Sequence, residues 1–118
     1  MKYLLLIYTE EQALNESERE QCNIEAAELV QQLKSSGQYL AIAPLYPTST
    51  ATSVRLRGGK RLVTDGPFAE TREQLGGYFL IDASDLDEAI NIAGRIPVAT
   101  VGTIEIRPVI EIAGLTAA

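Results

Sequence analysis

The chain of 118 residues contains no histidine. That removes the commonest general base near neutral pH and the commonest zinc ligand together. A single cysteine, Cys22, excludes an intrachain disulfide and any cysteine-rich metal site. It suits a reducing compartment. Bases are also in short supply. Ten Lys and Arg stand against sixteen Asp and Glu, giving a net charge of −6 and an isoelectric point near 4.6. Phosphate binding needs a concentrated basic face, so the balance argues against direct contact with nucleic acid. No apolar run approaches the roughly 18–20 residues that span a bilayer. The run at residues 3–8 is too short for a signal-peptide core, and no small-residue cleavage site follows it. The expectation is a cytoplasmic protein without a membrane association. No cofactor motif is present.

What is there is ordinary globular composition, 46% hydrophobic and 22% charged. One domain over residues 1–118 follows from the length, and it is large enough to bury a core without disulfides. Residues 2–9 read as a strand covered on both faces, because Tyr3 to Tyr8 are continuously apolar or aromatic. Asn15 with Glu18, and Ser17 with Glu20, both resemble a capping box. Cys22, Ala26, Leu29, Val30 and Leu33 then recur at helical spacing, and Gly37 suits the residue past a helix end. The pattern predicts a helix over about residues 16–36.

A short strand follows at residues 39–43, stopped by Pro44. Residues 53–57 alternate Val54 and Leu56 with Arg55 and Arg57, which predicts a half-buried strand. Gly58-Gly59 marks a hairpin turn, and residues 60–64 run back. Residues 78–81 form another strand, introduced by Gly76-Gly77. Those glycines predict a bulge or a tight approach to a neighbouring strand. Ser84 is the expected cap of a second helix, with Leu86, Ala89, Ile90 and Ala93 inward and Pro97 closing it. Ile104, Ile106, Ile110 and Ile112 keep one two-residue phase, interrupted by Pro108, which indicates an edge strand or bulge. The order predicts an α+β fold: a ferredoxin-like antiparallel sheet with two helices on one face. Its uncovered face predicts a homodimer packed sheet on sheet.

The run Leu62-Val63-Thr64-Asp65-Gly66-Pro67-Phe68-Ala69-Glu70-Thr71-Arg72-Glu73-Gln74-Leu75-Gly76-Gly77-Tyr78 resembles the signature of the YCII-related family, in its DGPF-domain branch. The likeness continues through Asp85-Leu86-Asp87-Glu88-Ala89 and Glu105-Ile106-Arg107-Pro108-Val109. It implies a dimeric α+β barrel. It also implies a regulatory setting, because members of the branch are often encoded beside, or fused to, sigma factors. Some relatives carry a His-Asp dyad, which a chain without histidine lacks.

Asp65 is the candidate catalytic residue. It stands before Gly66-Pro67 at a strand end, where a carboxylate is held rigidly and acts as a general base if burial raises its pKa. A plain turn, with the Asp65 side chain accepting backbone N–H groups, explains the same residues. Gly66, Pro67, Phe68, Glu70, Arg72 and Tyr78 are the candidate ligand-binding residues, with Arg72 suited to a ligand carboxylate. A solvated loop and core packing are the alternatives for these. Asp82, Asp85, Asp87 and Glu88 lack a calcium-loop pattern, so no metal site is assigned. The leading reading is a small dimeric module that binds a small ligand or a partner in a regulatory setting, linked to a sigma factor. The competing reading is an isomerase, lyase or hydrolase acting on a small organic substrate through Asp65. The sequence leaves the choice between enzyme and binding module open.

Overall fold

The computed structural model describes residues 1–116. The chain starts with β1 (Lys2–Thr9) and α1 (Glu16–Ser35). The Asn15 side chain accepts the Glu18 N–H, and Glu18 accepts the Asn15 N–H, so the first of the two expected capping boxes is formed. β2 (Tyr39–Pro44) runs one residue further than expected, into Pro44. A 3₁₀ turn (Thr48–Thr50) leads into β3 (Thr52–Arg57) and β4 (Lys60–Asp65). Then come β5 (Gln74–Asp82), α2 (Leu86–Ala93), a second 3₁₀ turn (Pro97–Thr100) and β6 (Thr103–Pro108).

The main sheet is antiparallel, in the order β2-β5-β1-β6. Tyr3, Leu5, Phe79 and Ile81 are buried on one face against Leu29 and Leu33 of α1 and Ala89 and Ile92 of α2. This is the ferredoxin-like α+β plan, with the β3–β4 hairpin inserted between its second and third strands. The opposite face presents Leu4 beside Leu80 and Leu6 beside Tyr78, all half-buried. The molecule is a plate of 48 × 43 × 19 Å. Its radius of gyration is 16.1 Å, whereas a compact domain of this length has about 13.5 Å. No helix among the described residues is long and apolar enough to cross a membrane.

Five local expectations need correction. Val54 and Leu56 are exposed rather than half-buried, because β3 and β4 pair only with each other. β5 begins at Gln74, so Gly76 and Gly77 lie inside the strand rather than before it. Ile7 faces Gly77 while Tyr8 faces Leu75, which leaves Gly76 as the extra residue of a bulge. A Cβ on Gly77 would stand 2.8 Å from the Ala43 carbonyl oxygen, so the tight approach is present as well. The cap of α2 is Asp85, which accepts the Glu88 N–H at 2.9 Å; Ser84 donates its own N–H to the Glu88 carboxylate instead. Leu86 and Ile90 face outward, whereas Ala89, Ile92 and Ala93 face inward. The helix ends at Ala93, and Pro97 opens the next turn rather than closing the helix. Finally, β6 stops at Pro108, which has no N–H for the ladder, and Ile110 and Ile112 are exposed. β6 is an edge strand, as expected.

Candidate functional site

The inward face of α1 changes character along its length. Cys22 and Ala26 are small and half-buried, whereas Leu29 and Leu33 fill the space to the sheet. Small side chains leave a gap, and a cleft of about 550 Å³ opens between the first half of α1 and the sheet. Its apolar walls include Ala26, Val30, Ile42, Phe79, Ile96 and Val98. Cys22, Asn23 and Gln31 provide polar groups, and no Asp, Glu, Lys or Arg among the described residues lines it. Burial, then the charges of Glu25 and Glu18, push the Cys22 thiol up, which keeps it protonated and poorly nucleophilic.

A second recess, of about 660 Å³, lies at the foot of the hairpin and is lined by Tyr8, Leu45, Tyr46, Pro67, Phe68 and Leu75 among others. A smaller hollow of about 370 Å³ joins the two, sharing Ile7, Pro44, Gly76 and Val98 with the cleft and Leu45, Tyr46 and Leu75 with the recess. The Gly76 bulge sits where they meet. Charges in the joining hollow are already engaged. Arg19 donates to the Glu11 and Leu14 carbonyls, and the Glu11 carboxylate accepts the Thr48 N–H and hydroxyl.

Only part of the expected site comes together. Asp65, Gly66, Pro67 and Glu70 line one shallow polar hollow with Thr48 and Thr71. It adjoins the recess through Pro67, Thr48 and Thr71, and Phe68 stands in the recess wall, 80% exposed. Gly66 has φ +103°, donates its N–H to Ala51 at 2.7 Å and accepts the Ser53 hydroxyl at 2.8 Å. The backbone and Ser53 therefore hold this turn. The Asp65 side chain accepts no N–H group among the described residues and is exposed, contrary to the plain-turn expectation.

Arg72 and Tyr78 lie apart from this group. The Arg72 guanidinium is exposed and bound to Glu10, and that hydrogen bond and charge push it further up. Tyr78 borders the helix–sheet cleft along β5, but strand alternation turns its side chain to the opposite face, beside Leu6. Asp85 is used in capping and Glu88 accepts from Ser84 and Gln38. Among the described residues no three His, Cys, Asp or Glu side chains group as a metal site. The cleft walls Ala26, Val30 and Ile42 were not singled out as site residues. Their signal is the run of small residues on one half of a helix face whose other half is leucine.

The YCII-related domain model matches residues 1–113. A protein of Rhizobium meliloti (strain 1021), described as uncharacterized, is 36% identical over 113 residues, covering 92% of this chain and 91% of that protein. Among solved structures, the fold is similar to 5-chloro-2-hydroxyhydroquinone dehydrochlorinase (TftG) from Burkholderia phenoliruptrix AC1100, in complex with 2,5-dihydroxybenzoquinone. The TM-score is 0.51, with 12% identity over 92% of each chain. At that identity the likeness is one of fold alone.

Proposed function

The chain belongs to the YCII-related family, and from that premise we propose that it is a homodimeric module binding a small, largely apolar organic molecule in the helix–sheet cleft. The cleft itself carries this reading. Its volume of about 550 Å³ falls within the roughly 300–1,000 Å³ of small-molecule sites. Walls without charge favour a neutral ligand, because an ion would be desolvated there without a counter-charge. Asn23 and Gln31 are placed to orient it. The Asp65, Gly66, Pro67 and Glu70 group, with Phe68 beside it, lies at the hairpin foot apart from the cleft, Arg72 lies outside, and the Tyr78 side chain belongs to the open sheet face. The open apolar sheet face, with Leu4, Leu6, Tyr78 and Leu80, supports the homodimer. The likeness of residues 62–78 to the DGPF branch supports a regulatory, sigma-factor-linked setting in the cytoplasm.

A second reading makes the protein an enzyme with Asp65 as general acid or base. The similar fold of an enzyme favours it. It ranks second because Asp65 is exposed and its hollow holds no basic side chain beside it.

Thermal unfolding against a panel of small neutral aromatics, with the anionic quinone 2,5-dihydroxybenzoquinone as a charged comparison, tests the two. A compound at a hundred times its Kd should stabilise the protein by about 2.7 kcal/mol. Ala26→Phe, which fills the cleft, should abolish that shift. A shift that survives Ala26→Phe but vanishes in Asp65→Asn would move the ligand to the hairpin foot and favour the enzyme. A panel without any response would remove the ligand from the reading.

A further inference from the structure

The β3–β4 hairpin has an apolar face that nothing among the described residues covers. Its register sets Thr52 opposite Asp65, Val54 opposite Val63 and Leu56 opposite Arg61. Strand alternation puts these six side chains on one face. Val54, Leu56 and Val63 are 58%, 69% and 58% exposed there. The other face carries Arg55, Arg57 and Lys60. The first face is therefore electrically balanced, with one acid and one base, while the second is strongly basic.

Along β4 the balanced face reads Asp65, Val63, Arg61: an acid, an apolar centre and a base at two-residue steps. Neither charged side chain makes a hydrogen bond or ion pair among the described residues. This order complements itself. Rotate a second copy by a half-turn about an axis in the contact plane, crossing β4 at Val63. Val63 then meets Val63 and Val54 meets Val54. The partner's Arg61 lies over Asp65, and the partner's Asp65 lies over Arg61. Both charges are paired and six apolar side chains leave water, while the basic faces stay solvated on the outside. A two-fold contact requires a patch that matches its own image, and this patch does.

We infer that the hairpin is a self-association arm, whose Val54, Leu56 and Val63 face packs on the same face of a second copy, with reciprocal Arg61–Asp65 ion pairs. The arm contact does not depend on the sheet-face dimer, and it makes Asp65 an ion-pair partner rather than a proton-transfer group.

Sedimentation equilibrium of the full chain, up to about 100 µM, tests the arm. Arg61→Asp and Asp65→Arg each create two like-charge pairs and should weaken association by roughly tenfold or more. The double swap, Arg61→Asp with Asp65→Arg, should restore it to within about threefold of wild type. Leu56→Ser, which leaves every charge in place, should also weaken it. Wild type that stays monomeric overturns the inference, as do single swaps without effect or a double swap that fails to rescue. Leu6→Glu separates the two surfaces. If it alone abolishes association while the arm variants do not, the sheet face is the contact and the arm is not. If wild type associates and only the arm variants weaken it, the arm stands and the sheet-face dimer falls.

Discussion

Two parts of the molecule use the same sequence pattern and end differently. In β6, Ile104 and Ile106 alternate with polar residues and pack against the buried core. In β3, Val54 and Leu56 alternate with arginines and remain exposed. β6 lies beside β1, under the layer that contains α2; among the described residues β3 has only β4 beside it. Alternation thus states that a face needs cover, and it is silent on whether the same chain provides it.

The sharpest test of that contrast is a pair of truncations. Phe79→Ala should cost about 3–5 kcal/mol by urea unfolding, as expected for the loss of a large buried side chain. Leu56→Ala, measured in dilute protein, should stay within about 0.5 kcal/mol of wild type. Equal costs would mean that the arm is covered in the monomer. Next in size is Gly77→Ala, where a methyl group would press on the Ala43 carbonyl; chemical denaturation should show a loss of about 1–3 kcal/mol. Asn15→Ala removes one half of the α1 capping box and should cost about 1 kcal/mol in thermal unfolding. The smallest effect concerns Cys22. Its thiol is pushed up in the fold, so the protonated form is favoured. Any stability this adds is present below the unfolded pKa and lost as the pH rises through the folded value. Iodoacetamide should therefore label native Cys22 more slowly than the urea-unfolded chain, and the labelling rate should climb at a higher pH. Equal rates would mean that the loose half of α1 gives the thiol no protection.

Most of the architecture was legible because it rests on local chemistry. Asn15 with Glu18 marks the start of α1, the 3.6-residue spacing from Cys22 to Leu33 marks its inner face, and the apolar run marks β1 as a strand, although its second face stays open among the described residues. The errors fall where two local signals compete. Ser84 and Asp85 are both good caps, and Leu86 and Ile90 compete with Ile92 for the inward face of a short helix. Pro108 breaks a period that Ile110 and Ile112 continue in the sequence. The candidate site was legible only in part. Asp65, Gly66, Pro67 and Glu70 are near in the chain and stay together. Tyr78 and Arg72 are also near, but β5 takes Tyr78 to the sheet interior, and Glu10, far away in sequence, holds Arg72. The helix–sheet cleft arises from side chains that are too small, and a deficit of volume leaves only a faint mark in a sequence.

The strand order has a kinetic consequence. No two strands that follow one another in the chain are neighbours in the main sheet. Every ladder there closes a loop of some thirty residues or more, and the β1–β6 ladder joins segments near opposite ends of the chain. The arm closes through a two-residue turn, so it should form in about 1–10 µs, while the main sheet waits on slow long-range encounters of milliseconds to seconds. During refolding, the unpaired apolar face of the arm precedes the core. The chain should therefore refold with a yield that falls as protein concentration rises, and variants that place a charge at Leu56 should recover it.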